Sequence, residues 1–211
     1  MLEQKTIGQF IDKLGSSSPT PGGGSVAALV ASIASALGSM VFSLTVNKKA
    51  YNEYSKEDKM LVDKSLIQCV KQQTKFLNLM NEDTESFLAL MSAFKLPKES
   101  SDENRVRSEK IKEGYKGALE IPLSVAEEAY KIYKDVEIAA NLGNKNIISD
   151  AGVSALMLQA AIESAILNVK INLSGIKDET YIKEINLRCE ELVKQGRLRR
   201  DEILSIVNES L

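Results

Sequence analysis

An all-α fold, an up-and-down bundle of long helices with a buried small-residue central helix, is what this 211-residue chain predicts. Three observations carry the prediction. Residues Val26 to Val46 hold no charge and repeat small side chains (Ala27, Ala31, Ser35, Ser39, Ser43) beside a bulky stripe of Val26, Val30, Ile33, Leu37, Met40 and Leu44. Such a helix has one flat side that lets its neighbours approach closely. From Ser55 to Leu96 no Gly or Pro interrupts a second helical pattern. Elsewhere the short Val/Ile runs are helically spaced and no hairpin turn pairs flank them, so no β pattern emerges.

Taken in order, Thr6 to Leu14 reads as a short amphipathic helix with Ile7, Phe10, Ile11 and Leu14 on one side, closed by Gly15. Ser16 to Gly24 is a loop ending in Pro19-Thr20-Pro21-Gly22-Gly23-Gly24-Ser25. Its prolines stiffen the approach, its glycines bare the backbone, and Ser25 caps the central helix. Asn47 to Tyr54 is polar and turn-like. Ser55 then caps a long helix, with Asp58 facing the cap, whose apolar stripe comprises Leu66, Val70, Leu77, Met80, Phe87 and Met91. A third helix is capped by Ser101, is kinked or broken by Pro122, and ends at Leu142-Gly143-Asn144. A fourth, again rich in small residues, starts at Ser149 or Asp150; a fifth runs from Asp178 to Gly196, and a last one from Arg197 to Leu211.

The totals bound the chemistry. The length suits a single domain spanning 1–211 with a core that needs no staples. A net charge of −2 gives no nucleic-acid footprint and no general attraction to anionic membranes. The uncharged run is long enough to span a bilayer, but its many hydroxyls and lack of basic N-terminal flanks favour a buried helix over a lipid-facing one. Nothing resembles a signal peptide, and two cysteines far apart in helical patterns read as buried, reduced thiols, so a cytoplasmic location is expected. The chain contains no histidine. Proton transfer near neutral pH therefore falls to a retuned Asp, Glu, Lys, Tyr or Cys, or to water. Serine–histidine and cysteine–histidine hydrolase mechanisms and the usual zinc sites are excluded, and no metal site is expected.

Polar residues on apolar faces are the candidates for function. Asp83 falls on the stripe of the long helix, three residues after Met80 and four before Phe87. It is either a core carboxylate paired to a hydroxyl or an acid whose pKa a site tunes. Asn168 and Asn172 stand one turn apart on a packing face, and either tie helices together or read the donors and acceptors of a flat heterocycle. Asp150 is most simply a helix cap. The Gly22–Gly24 loop lacks the spacing of a dinucleotide fingerprint and no P-loop is present, yet a helix start can hold an anion. At about 1.5 Å per residue, antiparallel helices bring the glycine loop, Asp83 and the two asparagines to one level. Asp150 lies about 27 Å from Asn168 along one helix, so it is either a cap or completes a site across a dimer interface.

These motifs carry a resemblance. Pro19 to Ser25 with its small-residue helix, Asn81-Glu82-Asp83-Thr84-Glu85-Ser86-Phe87 with Ala93-Phe94-Lys95-Leu96-Pro97, Gly143-Asn144-Lys145-Asn146 with Ser149-Asp150-Ala151, and Asn168-Val169-Lys170-Ile171-Asn172 together resemble the formiminotransferase-cyclodeaminase C-terminal family. The motifs run through nearly the whole chain in order, with no formiminotransferase domain before them, the arrangement of a stand-alone form. The resemblance implies an all-helical homodimer acting on a tetrahydrofolate derivative, with no further cofactor. Two activities go with it: closure of 5-formiminotetrahydrofolate to the 5,10-methenyl form with release of ammonia, and interconversion of methenyl- and 10-formyltetrahydrofolate. On this view Asp83 is the acid/base or the partner of the methenyl cation, with Phe87 beside it in the substrate site. The Gly22, Gly23 and Gly24 amides and Ser25 approach the pterin or a glutamate carboxylate, Asn168 and Asn172 orient the pterin, and Lys95 or Lys112 meets the acidic tail. The rival reading is a helical protein that binds folate without turning it over, or one that only dimerises through its flat Ala/Ser face.

Overall fold

The computed structural model describes residues 1–46 and 48–211. Seven α-helices follow in order: α1 (Ile7–Leu14), α2 (Gly23–Val46), α3 (Lys49–Asn52), α4 (Lys56–Phe94), α5 (Ser101–Leu142), α6 (Ile148–Leu173) and α7 (Glu179–Asn208), with single 3-10 turns at Leu2–Gln4 and Lys145–Ile147. No strand occurs among the described residues. Helices α2, α4, α5 and α6 form a ring in which each packs on the next and α6 closes on α2, while α7 lies across α5 and α6.

Helix starts follow local chemistry. Thr6 and Gln9 form a reciprocal capping box on α1, Ser55 accepts from the Asp58 amide, Ser100 and Glu103 form a second box, and Asp178 accepts from the Tyr181 amide. The cap of α5 is thus Ser100, one residue before the expected Ser101. The turn-like segment 48–54 holds the single helical turn α3; Asn47, part of the same expectation, lies outside the described residues. On α1 only Phe10 is buried, and Ile7 and Ile11 face outward.

Three expectations about helix ends are corrected. Of the kink or break expected at Pro122, the break does not occur, and helix α5 continues through it. The Pro122 ring supplies no N–H to the carbonyl of Ala118 one turn back, and the Asn172 carboxamide of α6 donates to that oxygen instead, at 2.9 Å. Helix α7 likewise continues through Gly196, joining two expected helices into one. A Cβ at Gly196 would lie 2.5 Å from Gln159 Oε1, so this glycine marks a close crossing with α6 and not a terminus. Helix α2 begins at Gly23, which places two of the three glycines inside the helix and Ser25 in its first turn, not at the cap.

The small side of α2 is buried: Ala27, Ala28, Ala31, Ala34, Ser35 and Gly38 are closed off by α4 and α6. A strict four-residue step rotates about 40° per repeat around a helix, so Ser39 is half-buried and Ser43 exposed, and burial passes to Val41, Phe42 and Thr45. The bulky ridge points outward, with Ile33, Met40 and Leu44 at 42%, 37% and 41% exposure. α2 is therefore a half-buried wall, not a helix enclosed on all sides. By length and composition the segments Gly23–Val46 and Lys145–Leu173 are both apolar enough to cross a membrane, and 56% of each apolar window is buried within the bundle.

The stripe expected on α4 is rotated. Of its members only Met80 is fully buried, while Val70 and Met91 are exposed. Because α4 serves both α2 and α5, its buried line runs through Val62, Ser65, Cys69, Gln72, Phe76 and Leu79, and polar side chains occupy core positions. Ser65 hydrogen-bonds the buried Asp135 carboxyl, and Gln72 donates to Glu128 at 2.7 Å. Cys69 and Cys189 are free and buried. Gly38 gives Cys69 its place, since a Cβ there would sit 3.2 Å from the sulfur.

Candidate active site

The start of α2 is pressed against α4 at Asp83. Gly24 has no room for a side chain: a Cβ would collide with the Asp83 carboxylate. Two glycines inside a helix are each unfavourable by about 1 kcal/mol relative to alanine, and this approach is what they permit. Ser25, fully buried, donates its hydroxyl to Asp83 Oδ2 at 2.7 Å and has Thr84 Oγ1 3.3 Å away. Asp83 is half-buried. Burial pushes its carboxyl above the ordinary value, and hydrogen bonds from the Ser25 side chain and backbone oppose that rise without cancelling it. No ionisable side chain lies anywhere on α2, so what that helix turns to the carboxylate is bare backbone and the Ser25 hydroxyl.

From α6, Asn168 reaches the same corner. Its carboxamide lies 3.2–3.3 Å from where a Gly23 Cβ would stand, and its Nδ2 donates to the Ser164 carbonyl. Gly23 is exposed on the other side, so the corner opens to solvent there. Around Gly22 a Cβ would meet nothing within 4 Å. The structure thus brings Gly23, Gly24, Ser25, Asp83 and Asn168 together.

The remaining candidates are placed differently. Asn172 is adjacent to Asn168, but its Nδ2 donates to both the Ala118 and Asn168 carbonyls at 2.9 Å, which commits its amino group to the protein. Phe87 is half-buried one turn after Asp83 on α4. Lys95 terminates α4, twelve residues or about 18 Å beyond Asp83, and is exposed. Between Asp83 and that end, a groove of about 530 Å³ opens beside Ser86 and runs between α4 and α5 to Leu96. Lys112 lines a separate cleft of about 260 Å³ with Lys116, Lys177 and Tyr181. Asp150 does not cap α6: the cap position is Ile147, which makes no side-chain cap bond, and Asp150 sits half-buried in the first turn. A third groove, of about 460 Å³ between α6 and α7 and lined by Ile166, Cys189, Val193 and Leu198, includes none of these candidates.

Several side chains at or near the site escape a stripe-based reading. Thr84 follows Asp83 directly and meets Ser25 only because α2 presses into α4. Asn81 accepts from the Leu2 amide at 2.8 Å and donates to Glu3, tying the N-terminus beside the corner. Lys116 was legible as the i+4 neighbour of Lys112; it stands 5.9 Å from the Tyr181 ring centre.

An all-helical ring whose small-residue helix begins against a half-buried carboxyl, in a chain without histidine, is the class of protein that this fold and corner define. Comparisons with known proteins narrow that class. Residues 6–191 match the formiminotransferase-cyclodeaminase family. The chain is 36% identical to a methenyltetrahydrofolate cyclohydrolase of Methylorubrum extorquens over 211 residues, covering 100% of both. It is 30% identical to a formimidoyltransferase-cyclodeaminase of Gallus gallus, covering 99% of this chain and 38% of that one. The crystal structure of a formiminotetrahydrofolate cyclodeaminase from Thermotoga maritima superposes with a TM-score of 0.80 at 27% identity, over 100% of this chain and 98% of that one. The chain belongs to the formiminotransferase-cyclodeaminase family.

Proposed function

We propose that this chain is an enzyme of folate one-carbon metabolism that makes or breaks the methenyl bridge between N5 and N10 of tetrahydrofolate. The observation that carries the reading is Asp83: a half-buried carboxyl of raised pKa, packed on bare backbone at a solvent-open corner of a family member that has no histidine. In the cyclodeaminase direction, folate N10 adds to the formimino carbon on N5. The formimino group reacts in its protonated, amidinium form, so that when Asp83 takes the N10 proton and returns it to the departing nitrogen, that nitrogen leaves as ammonia and the amidinium charge remains on the methenyl cation. In the cyclohydrolase direction, water adds to that carbon and loses a proton to Asp83. Opening of the C–N5 bond then places a proton on N5 and leaves the formyl group on N10, one proton going to solvent overall. As an anion, Asp83 also stabilises the methenyl cation electrostatically. Asn168 and the Gly23 edge orient the pterin, Phe87 flanks it, and the acidic tail leaves toward Lys95 or Lys112. No cofactor besides the folate is required, and the reaction takes place in the cytoplasm.

The methenyl chromophore supplies the test. Its ultraviolet absorbance should fall with methenyltetrahydrofolate or rise with 5-formiminotetrahydrofolate, and the full-length 36% relative makes the former the first substrate to try. Asp83→Asn should fold and lose about 10²- to 10⁴-fold in kcat. Full turnover by that variant removes the catalytic assignment, and binding without any absorbance change makes the protein a folate binder.

We infer that the active form is a homodimer in which Asp150, in the first turn of α6 and not at its cap position, serves the partner's site. Support comes from the outward apolar ridge of α2 and from the exposed line Val153, Leu156, Leu167 and Ile171 on α6, the last two at 69% and 68% exposure on either side of Asn168. Leu167→Asp should sediment as a monomer where the parent sediments as a dimer; a monomeric parent ends the proposal.

A further inference from the structure

A single aspartate that both accepts and donates a proton must be hydrogen-bonded in either state, because an orphaned polar atom in a half-buried site is costly. The surroundings of Asp83 meet this condition through two hydroxyls. Ser25 is fully buried, with its Oγ 2.7 Å from Asp83 Oδ2 and 3.3 Å from Thr84 Oγ1, and it has one proton to give. While Asp83 is ionised, Ser25 donates to the carboxylate and Thr84 donates to Ser25. When Oδ2 is protonated, Asp83 donates to Ser25 and Ser25 donates to Thr84. Both arrangements use the same atoms at the same distances, and only three hydrogens change position.

We propose that Ser25 and Thr84 form a reversible hydroxyl relay behind Asp83, with Thr84 a positioning residue that allows the aspartate to alternate between base and acid without moving. The relay rests on the acid/base role proposed above. It gives Ser25 a function different from direct contact with a ligand, since its oxygen is enclosed and already engaged. Charges around Asp83 do not obscure the effect. Helix α2 presents none, α6 presents the neutral Asn168, Glu82 and Glu85 on α4 itself are exposed, and Glu3 of the N-terminal turn is exposed and bound to Asn81. Burial and the Ser25 bonds are what act on the carboxyl.

The experiment is carboxyl-carbon NMR titration of Asp83 in the ligand-free protein, parent and variants, alongside the pH dependence of kcat. Ser25→Ala should raise the Asp83 midpoint by about one pH unit, the size of a lost charge-assisted hydrogen bond. Thr84→Val, which keeps the shape but leaves the Ser25 proton without an acceptor when Asp83 is protonated, should lower it by roughly half as much, and Thr84→Ser should restore the parent value. The limb of the kcat profile assigned to Asp83 should move the same way. An unchanged midpoint in Thr84→Val while Ser25→Ala shifts ends the relay at Ser25 and overturns the proposal, as does an unchanged midpoint in both. Because the titration needs no folate, it decides the relay even if the proposed turnover is not found.

Discussion

The bond from Asn172 to the Ala118 carbonyl repairs a helix that Pro122 interrupts, and it can be measured as a coupling. In Asn172→Ala the Ala118 oxygen, in a buried residue, loses the donor that replaced the missing proline N–H. Leaving a buried acceptor unsatisfied costs about 1–3 kcal/mol. In Pro122→Ala the backbone N–H returns to Ala118 in ordinary helical geometry, so removing Asn172 from that background forfeits a redundant second bond. The two substitutions should therefore couple by about 1 kcal/mol or more in a double-mutant cycle. Urea unfolding of the four proteins at one fixed protein concentration gives the cycle, the fixed concentration guarding against any contribution from association. Additivity within about 0.5 kcal/mol would refute the repair and return Asn172 to the set of groups free to meet a ligand.

Alanine substitution along the glycine corner should grade steeply. Gly22→Ala, with open space around its Cβ, leaves turnover and thermal midpoint near the parent's; Gly23→Ala, crowding Asn168, lowers turnover modestly; Gly24→Ala, colliding with Asp83, abolishes it. Equal effects at all three positions, read by the methenyl absorbance, would contradict the close approach. Asp83 should also weaken the fold at neutral pH. Its folded pKa lies above the unfolded one, so its contribution is fully present below the unfolded value near 3.8 and is lost as pH rises through the folded value. Asp83→Asn should accordingly gain stability relative to the parent across that rise, and denaturant midpoints that run parallel from pH 3 to pH 8 would contradict the raised pKa.

Local signals were read well where the partner is also local. Ser55 and Asp178 cap their helices as their sequences imply, because a cap needs only its own next turn. A break at Pro122 and an end at Gly196 were misreadings for the complementary reason. Each residue is a helix breaker by itself, and each is accommodated by one side chain of α6, Asn172 and Gln159, more than thirty residues away. The ridge of α2 looked like core because hydrophobicity marks a side chain that seeks cover, and a single chain leaves Ile33, Met40 and Leu44 outside. Rise per residue alone set Asp83, the glycines and both asparagines at one height, and Asp83, Gly23, Gly24 and Asn168 do meet there, with Asn172 one turn away and bonded to Ala118. Counting could not say which atoms of Asn172 were already occupied, nor that Thr84 stands behind Ser25. Those facts depend on rotamers fixed by packing.

The enclosure of Cys69 has a practical consequence. Its sulfur is shut in against Gly38, and burial, with the Asp135 carboxyl adding to it, pushes the thiol up to about 12. In the closed bundle neither access nor thiolate is available to an alkylating dye. Labelling at this position must wait for α2 and α4 to part, so its rate reports the frequency of that opening. The native molecule thus contains its own stopwatch for helix separation, with no engineered probe required.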